Sequence, residues 1–248
     1  ARKNYLEKFA KNGNYVFSEK PFVMDLKSHE ELLELSQKFT CNYERIFYNT
    51  TRNIKNIISS HVFGEIQKIS IVEGVLNGKT GITKNSYRND PKISGGFLRD
   101  SAGHTFNQLN FLFENISVNS VDIIWQENFD LESNIVFNVK EKNSFSIDYQ
   151  GTQIKRVEPK ITILFEKIKI EFNHHLPDSS FQISLLNSDK KFILKEENHF
   201  ASTFPQAYYL KWKDFINKIS SSQLDPEFET SLSTTKLISD ILQKDGKK

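Results

Sequence analysis

The chain has 248 residues, with 33 Lys and Arg against 31 Asp and Glu, so its formal net charge is only +2. A balance this even gives no electrostatic case for nucleic acid or an anionic membrane as a partner, and no apolar run approaches the ~20 residues that span a bilayer. The single cysteine, Cys41, excludes a disulfide framework; it suits a reducing compartment, and the expected location is the cytoplasm.

Taken in chain order, "RKNYLEKFAKNGN" reads as a helix stopped by Gly13 and Asn14. "YVFS" follows as a short buried strand. "SHEELLELSQKF" is an amphipathic helix, with Ser28 as the expected N-cap and Glu31 at the capping-box position. "TCNYERI" reads as a strand end. "NTTRNIKNIISSHVFG" is a second amphipathic helix, with Gly64 expected just past its end. "EIQKISIVEGVL" alternates as a long strand does, and a glycine-spotted loop follows over 77–94. The next helix, "GGFLRDSAGHTFNQLNFLFE", aligns Leu98, Ala102, Phe106, Leu109 and Phe113 in one apolar stripe.

Beyond that helix the hydrophobic period changes to two. "SVDIIWQE", "NIVFNVKE", "SFSIDYQG", "KITILFEKIKIEFN", "FQISLLN" and "KFILKE" succeed one another as strands joined by short polar turns, a pattern that predicts an antiparallel meander. Two helices, "PQAYYLKWKDFINKI" and "STTKLISDILQK", close the chain. The expected class is α+β, with helices on one face of a large sheet. Because the chain opens on Ala1 inside a helix and its only methionine is Met24, it reads as lacking an N-terminal part.

Four segments appear in a telling order: "YVFSEKPF", "CNYERI", "GEIQKI" and "YRNDPKISGGFLRDSAGH". They resemble the glucose–fructose oxidoreductase, inositol dehydrogenase and MocA family (Gfo/Idh/MocA) of NAD(P)-dependent oxidoreductases. The likeness covers about residues 1–115 by motif and the remainder by layout. It implies that residues 1–40 are the C-terminal remnant of a dinucleotide-binding Rossmann domain. Residues 41–248 would then be a substrate-binding and oligomerisation α+β domain, a mostly antiparallel open sheet with helices on one face. The last helix, about 230–244, is expected to pack back on the Rossmann side.

The resemblance also implies roles for individual residues. Lys20 matches the family lysine at the nicotinamide pocket, where an ammonium stabilises the alkoxide that forms as hydride leaves a carbinol carbon. Glu19 and Pro21 flank it and fix its approach, so Glu19, Lys20 and Pro21 are the expected cofactor-side residues. His104 matches the family histidine, and an imidazole near its ordinary value of about 6.5 suits a general base. Asp100 would hold a substrate hydroxyl or orient that base. Asn42 and Arg88 are further expected substrate contacts, Arg88 beside Tyr87 where relatives carry Trp. Tyr43 and Arg45 match the cleft-facing strand end loosely, and Glu44 reads as solvent-facing.

The implied activity is hydride transfer between NAD or NADP and a hydroxyl carbon of a sugar, cyclitol or related polyol, with a homo-oligomer formed through the sheet. No metal is required. "NHHLPD", with His174 and His175, reads as a polar strand-end turn, because neighbours on a strand point to opposite faces. Trp212 and the tyrosines of "AYYLKW" read as core or interface aromatics, and Cys41 as a small buried side chain. No G-x-G-x-x-G occurs in the sequence. The cofactor site is therefore expected to be incomplete in these residues, and the chain alone inactive. The alternative is a non-catalytic binding or sheet-mediated assembly module derived from the same family.

Overall fold

A computed structural model describes residues 2–74, 96–126, 129–194 and 200–246. The chain begins with a helix, α1 (Arg2–Lys11), a short strand, β1 (Val16–Ser18), a second helix, α2 (Leu26–Leu35), and a second strand, β2 (Phe39–Cys41). β1 and β2 pair in parallel, Val16 opposite Phe39, so α2 is the crossover of a small βαβ unit. Leu6, Ala10, Phe22, Leu32, Leu33 and Phe39 pack its interior. β1 itself is only half-buried, short of the burial expected for it.

Two helix boundaries differ from expectation. α2 begins at Leu26, and its cap is Asp25, whose carboxylate accepts the Ser28 amide at 2.8 Å. Asp and Ser cap about equally well; here Asp25 comes first, so Ser28 becomes part of the first turn. The next helix, α3 (Asn49–Ser60), ends on His61 in the left-handed region at φ 51°. Gly64 lies further on, at φ +83°, where an added Cβ would sit 2.3 Å from Glu166 Oε2. Its smallness serves the turn into the sheet rather than the helix end.

The sheet contains β3 (Ile66–Gly74), β4 (Ile116–Gln126), β5 (Phe129–Val139), β6 (Phe145–Thr152), β7 (Val157–Phe165), β8 (Ile168–Phe172), β9 (Phe181–Leu185) and β10 (Lys191–Leu194). Their order is β10-β9-β8-β7-β3-β6-β5-β4. The expected meander is thus split: β3 inserts between β6 and β7, parallel to the first and antiparallel to the second. An inserted strand buries its own apolar face, Ile69 and Ile71, in the sheet's middle, which two separate edges would leave exposed.

One face of this sheet is covered by helices. Ile54 and Ile57 of α3, the 98–113 segment, and Leu237, Ile238 and Ile241 of α7 (Leu232–Lys244) pack against Ile135, Phe137, Ile147, Tyr149, Ile161 and Ile163. The predicted stripe holds: Leu98, Ala102, Phe106, Leu109 and Phe113 are all buried. The opposite face carries ion pairs such as Lys68 with Asp148 and Lys169 with Glu171. Leu232, at the start of α7, belongs instead to the core of the βαβ unit. α7 therefore touches both layers, and Trp125 of β4 donates to Asp245 just past its end at 2.7 Å.

The helix carrying Asp100 and His104 is not uniform. A π-helical turn spans Leu98–Ala102, and the α-helix proper, α4 (Gly103–Leu112), follows it. The segment starts against Asp130 of β5, whose two carboxylate oxygens accept the amides of Phe97 at 2.9 Å and Leu98 at 2.8 Å. Gly96 sits at φ +82°, and a Cβ there would lie 1.9 Å from Asp130 Oδ1. The close neighbour that requires a glycine here is a capping side chain. Among the described residues the remaining α-helices are α5 (Phe204–Ser221) and the short α6 (Pro226–Glu229). On α5, Trp212 stacks on Phe17 with ring centroids 4.0 Å apart. Trp212, Tyr208 and Tyr209 nonetheless stay exposed, so they are surface rather than core aromatics. Among the described residues no helix is long and apolar enough to cross a membrane.

Candidate functional site

Parallel strands gather ligand-binding residues at their C-terminal ends. Just past β1 come Glu19, Lys20 and Pro21; just past β2 come Asn42, Tyr43, Glu44 and Arg45. The Asn42 amide donates to the Ser18 carbonyl at 2.8 Å, which holds the two strand ends together. Asn42 Nδ2 donates to Glu19 Oε1 at 2.9 Å. Its Oδ1 is buried and has no partner among the described residues. An unspent buried acceptor costs about 1–3 kcal/mol, so this atom is suited to a ligand's N–H or O–H.

Lys20 reaches from the first strand end to the π turn. Its Nζ donates to Asp100 Oδ1 at 2.8 Å and also to the Asp100 backbone carbonyl. Both side chains are largely buried. The Lys20–Pro21 peptide is cis. Held by these two acceptors of Asp100, Lys20 keeps a counter-ion, with part of the amine's donor capacity left over. The structure brings Lys20 and Asp100 into direct contact, and His104 follows in the first turn of α4.

His104 is enclosed. Tyr43 packs edge-on at a 5.9 Å centroid distance, and His104 Nδ1 has no hydrogen-bond partner among the described residues. Burial first, then the charges of Arg45 and Lys20, push its pKa well below 6.5. This corrects the expectation of an ordinary imidazole: in this setting His104 is neutral at physiological pH, with its basicity reduced by two cations and dehydration. The group facing Nδ1 is Glu44, whose Oε2 lies 3.8 Å away and is also buried without a partner. At 3.8 Å the two are not hydrogen-bonded, yet no other described group satisfies either atom. Glu44 is 4% exposed, and burial raises its pKa. It does not face solvent, because the 3₁₀ turn Glu44–Phe47 after β2 folds it inward.

Arg45 is half-buried, and its Nη1 also lacks a partner. Pro21 lines a cavity of about 540 Å³ together with Met24, Asp25, Tyr43, Arg99 and Gln243. Arg88, Tyr87 and the rest of the 77–94 loop lie outside the described residues, as do Ser94 and Gly95. Cys41 is fully buried, its thiol pushed up to about 12 by burial, which fits an inert packing role.

A second polar cluster adjoins this one. Glu73, near the end of β3, accepts from Tyr149 at 2.7 Å on one oxygen and from Thr105, the residue after His104, at 2.9 Å on the other. His175 and His174 approach that second oxygen at 2.6 and 3.3 Å. Burial alone would raise the Glu73 carboxyl; hydrogen bonds from the two histidines hold it well below its usual value. Period-two reading could have found Glu73, since it shares a strand face with the buried Ile69 and Ile71. His174 and His175 meet because they sit in the turn after β8, where strand alternation no longer applies.

No family model matches the chain, and no curated protein matches it in sequence. Solved structures do match. The 3-ketoreductase KijD10 from Actinomadura kijaniata, in complex with NADP and TDP-benzene, superposes with a TM-score of 0.81 at 12% identity, over 98% of this chain and 74% of that one. An inositol dehydrogenase homologue from Azotobacter vinelandii, complexed with NAD+, gives 0.81 at 11% identity over 99% and 73%. A proposed NADPH-dependent oxidoreductase from Desulfitobacterium hafniense gives 0.80 at 14% over 99% and 74%. The fold is that of Gfo/Idh/MocA-type oxidoreductases. At such low identity the likeness is one of fold.

Proposed function

We propose that these residues form the substrate side of an NAD(P)-dependent oxidoreductase that transfers hydride to or from a hydroxyl-bearing carbon of a sugar, cyclitol or related polyol. The supporting observation is the pairing of Lys20, tethered by Asp100, with a largely buried His104 whose pKa is held well below 6.5. In the oxidative direction His104 takes the carbinol proton. Its low pKa makes the resulting imidazolium a strong acid, ready to return the proton in the reductive direction. Lys20 donates to the oxygen as it becomes alkoxide, inside a partly dehydrated site where a fixed cation counts most. Glu44 faces the far nitrogen of His104 and stabilises its charged form. Arg45 Nη1 and Asn42 Oδ1, both unspent, offer a donor and an acceptor to neighbouring hydroxyls.

The nicotinamide, when bound, supplies the hydride chemistry. The residues fit it on one side: Glu19, Lys20 and Pro21, with the Asn42 acceptor beside them, suit the nicotinamide end. The sequence holds no G-x-G-x-x-G, the glycine-rich turn that a pyrophosphate requires. We further propose that residues 1–40 and 41–248 are the two functional units, and that the open sheet face mediates homo-oligomerisation, which light scattering would test.

The decisive experiment uses the natural polypeptide carrying these residues. Reduction of NAD+ and NADP+ is followed over a panel of sugars and cyclitols, for wild type and Lys20→Ala. Loss of one preorganised donor to a developing oxyanion costs about 10²–10³-fold in kcat. Activity that survives Lys20→Ala refutes the role of that lysine. No turnover with any panel member, alongside retained polyol binding, would leave a binding module instead.

A further inference from the structure

We infer that Glu73, His174 and His175 form a binding site for a first-row divalent transition-metal ion, beside the proposed hydride-transfer site. Their ligand atoms lie within 4.8 Å of one another. Glu73 Oε2 is 2.6 Å from His175 Nε2 and 3.3 Å from His174 Nε2. Two imidazoles and a carboxylate are the donor set of many three-ligand zinc sites and of non-haem iron sites, and they disfavour calcium or magnesium, which prefer oxygen alone.

The geometry needs little change to hold an ion. Ligands ~2.0–2.2 Å from a tetrahedral metal stand ~3.3–3.6 Å from each other. The separation from His174 already fits, and that from His175 would open by about 0.7 Å. The present arrangement is crowded for hydrogen bonding alone. Thr105 Oγ1, His174 Nε2 and His175 Nε2 all converge on the one Glu73 oxygen, and a single carboxylate oxygen offers about two lone-pair sites. Convergence of this kind is what shared coordination requires.

Part of a supporting shell is in place, while His174 Nδ1 has no partner among the described residues. Tyr149 fixes the other Glu73 oxygen at 2.7 Å. Gln108 Nε2 donates to the His174 carbonyl at 3.2 Å, and the His175 amide donates to Asn173 Oδ1 at 3.0 Å, so both histidines sit on a turn pinned by side chains. The Tyr149 contact is of the kind that orients a metal ligand, and the other two hold the turn that carries the rings. The Glu73 and His174 side chains are buried, while His175 is 22% exposed. An ion would enter from the His175 side and keep its fourth position there for water or a hydroxyl ligand.

The test requires no turnover, so it is independent of the proposed activity. Protein stripped with EDTA is titrated with Co2+ and Zn2+, following the visible cobalt bands and the heat of binding. One equivalent is expected, with affinity weakened at least ~10-fold in His175→Ala and Glu73→Gln, and unchanged in His61→Ala, which removes an exposed histidine elsewhere. Circular dichroism checks the fold of each variant. If Glu73→Gln does not fold, His175→Ala and His175→Gln decide, since that side chain reaches the surface. No cobalt bands in folded wild type, or equal affinity in the His175 variants, overturns the site.

Discussion

Replacing Glu229 by Met should destabilise the protein more than replacing its partner Lys211. The Glu229 carboxylate is fully buried and accepts from Lys211 Nζ at 2.5 Å, from Thr40 Oγ1 at 2.8 Å and from Lys218. Burial alone would raise its pKa, but the two lysines hold it below the usual value. Lys218 has a second counter-ion, Asp214, at 2.7 Å, whereas the Lys211 side chain is 2% exposed and is given Glu229 as its counter-ion. Glu229→Met therefore strands an ammonium inside the protein, a loss of ~3–5 kcal/mol. Lys211→Met leaves Glu229 with Lys218 and Thr40 and should cost only ~1–2 kcal/mol. The double variant strands no charge, so its loss should be well below the sum of the two. Urea unfolding measures this. The midpoint of Glu229→Met should fall by on the order of 1 M for a slope of ~3 kcal/mol/M. In a Trp125→Phe background, Trp212, next to Lys211, reports the local layer. A Glu229→Met loss below ~1 kcal/mol, or strict additivity in the double variant, would show that the pair is not a closed buried unit.

Three other outcomes follow from named geometry. Gly96→Ala forces a side chain into a left-handed backbone and onto the Asp130 carboxylate; strain of ~1–2 kcal/mol plus a weakened cap of ~1 kcal/mol should appear as a lower thermal midpoint, and an unchanged midpoint would refute the cap. His29 lies between Thr230 and Thr235 hydroxyls at 2.7 and 2.9 Å, and burial, aided by Lys236, lowers its pKa from 6.5 to about 4. Its folded pKa is depressed, so the unfolded chain binds the extra proton. The stability it contributes is full above ~6.5 and is lost as pH falls toward ~4, by up to ~3 kcal/mol; His29→Asn should flatten the pH slope of unfolding in that window. Glu44→Gln removes the charge facing His104 Nδ1. It should lower kcat by about 10–100-fold and move the acidic limb of the pH–rate profile to lower pH, and an unmoved limb would place Glu44 outside the proton path.

What could be read from the sequence was local. The Glu19-Lys20-Pro21 turn and the Asp100/His104 pair occupy short contiguous motifs, and the apolar stripe from Leu98 to Phe113 follows helical period, so all were legible and the stripe is buried as expected. The insertion of β3 between β6 and β7 was not legible, because strand order is set by pairings distant in sequence. The same non-locality hid Glu44. A Glu at a strand end reads as solvated, and only the inward 3₁₀ turn and a helix arriving much later in the chain enclose it with His104. Arg88 stays an expectation, since it falls outside the described residues.

The placement of charge explains why these non-local contacts matter. Lys20, Arg45, Glu44, Asp100 and Glu73 bring two cations and three carboxyl groups around one histidine that burial keeps neutral. Each charged group left unpaired there would cost several kcal/mol, so the fold must tie them in pairs or leave them for a ligand. Lys20 is tied to Asp100, and Glu73 is covered by Thr105, Tyr149 and two histidines. Asn42 Oδ1, Glu44 Oε2, Arg45 Nη1 and His104 Nδ1 are left unspent. Ordinary packing selects against unsatisfied buried atoms. Three of the four follow the C-terminal end of β2, and the proposed hydroxyl-rich ligand has the chemistry to supply both donors and acceptors to them at once.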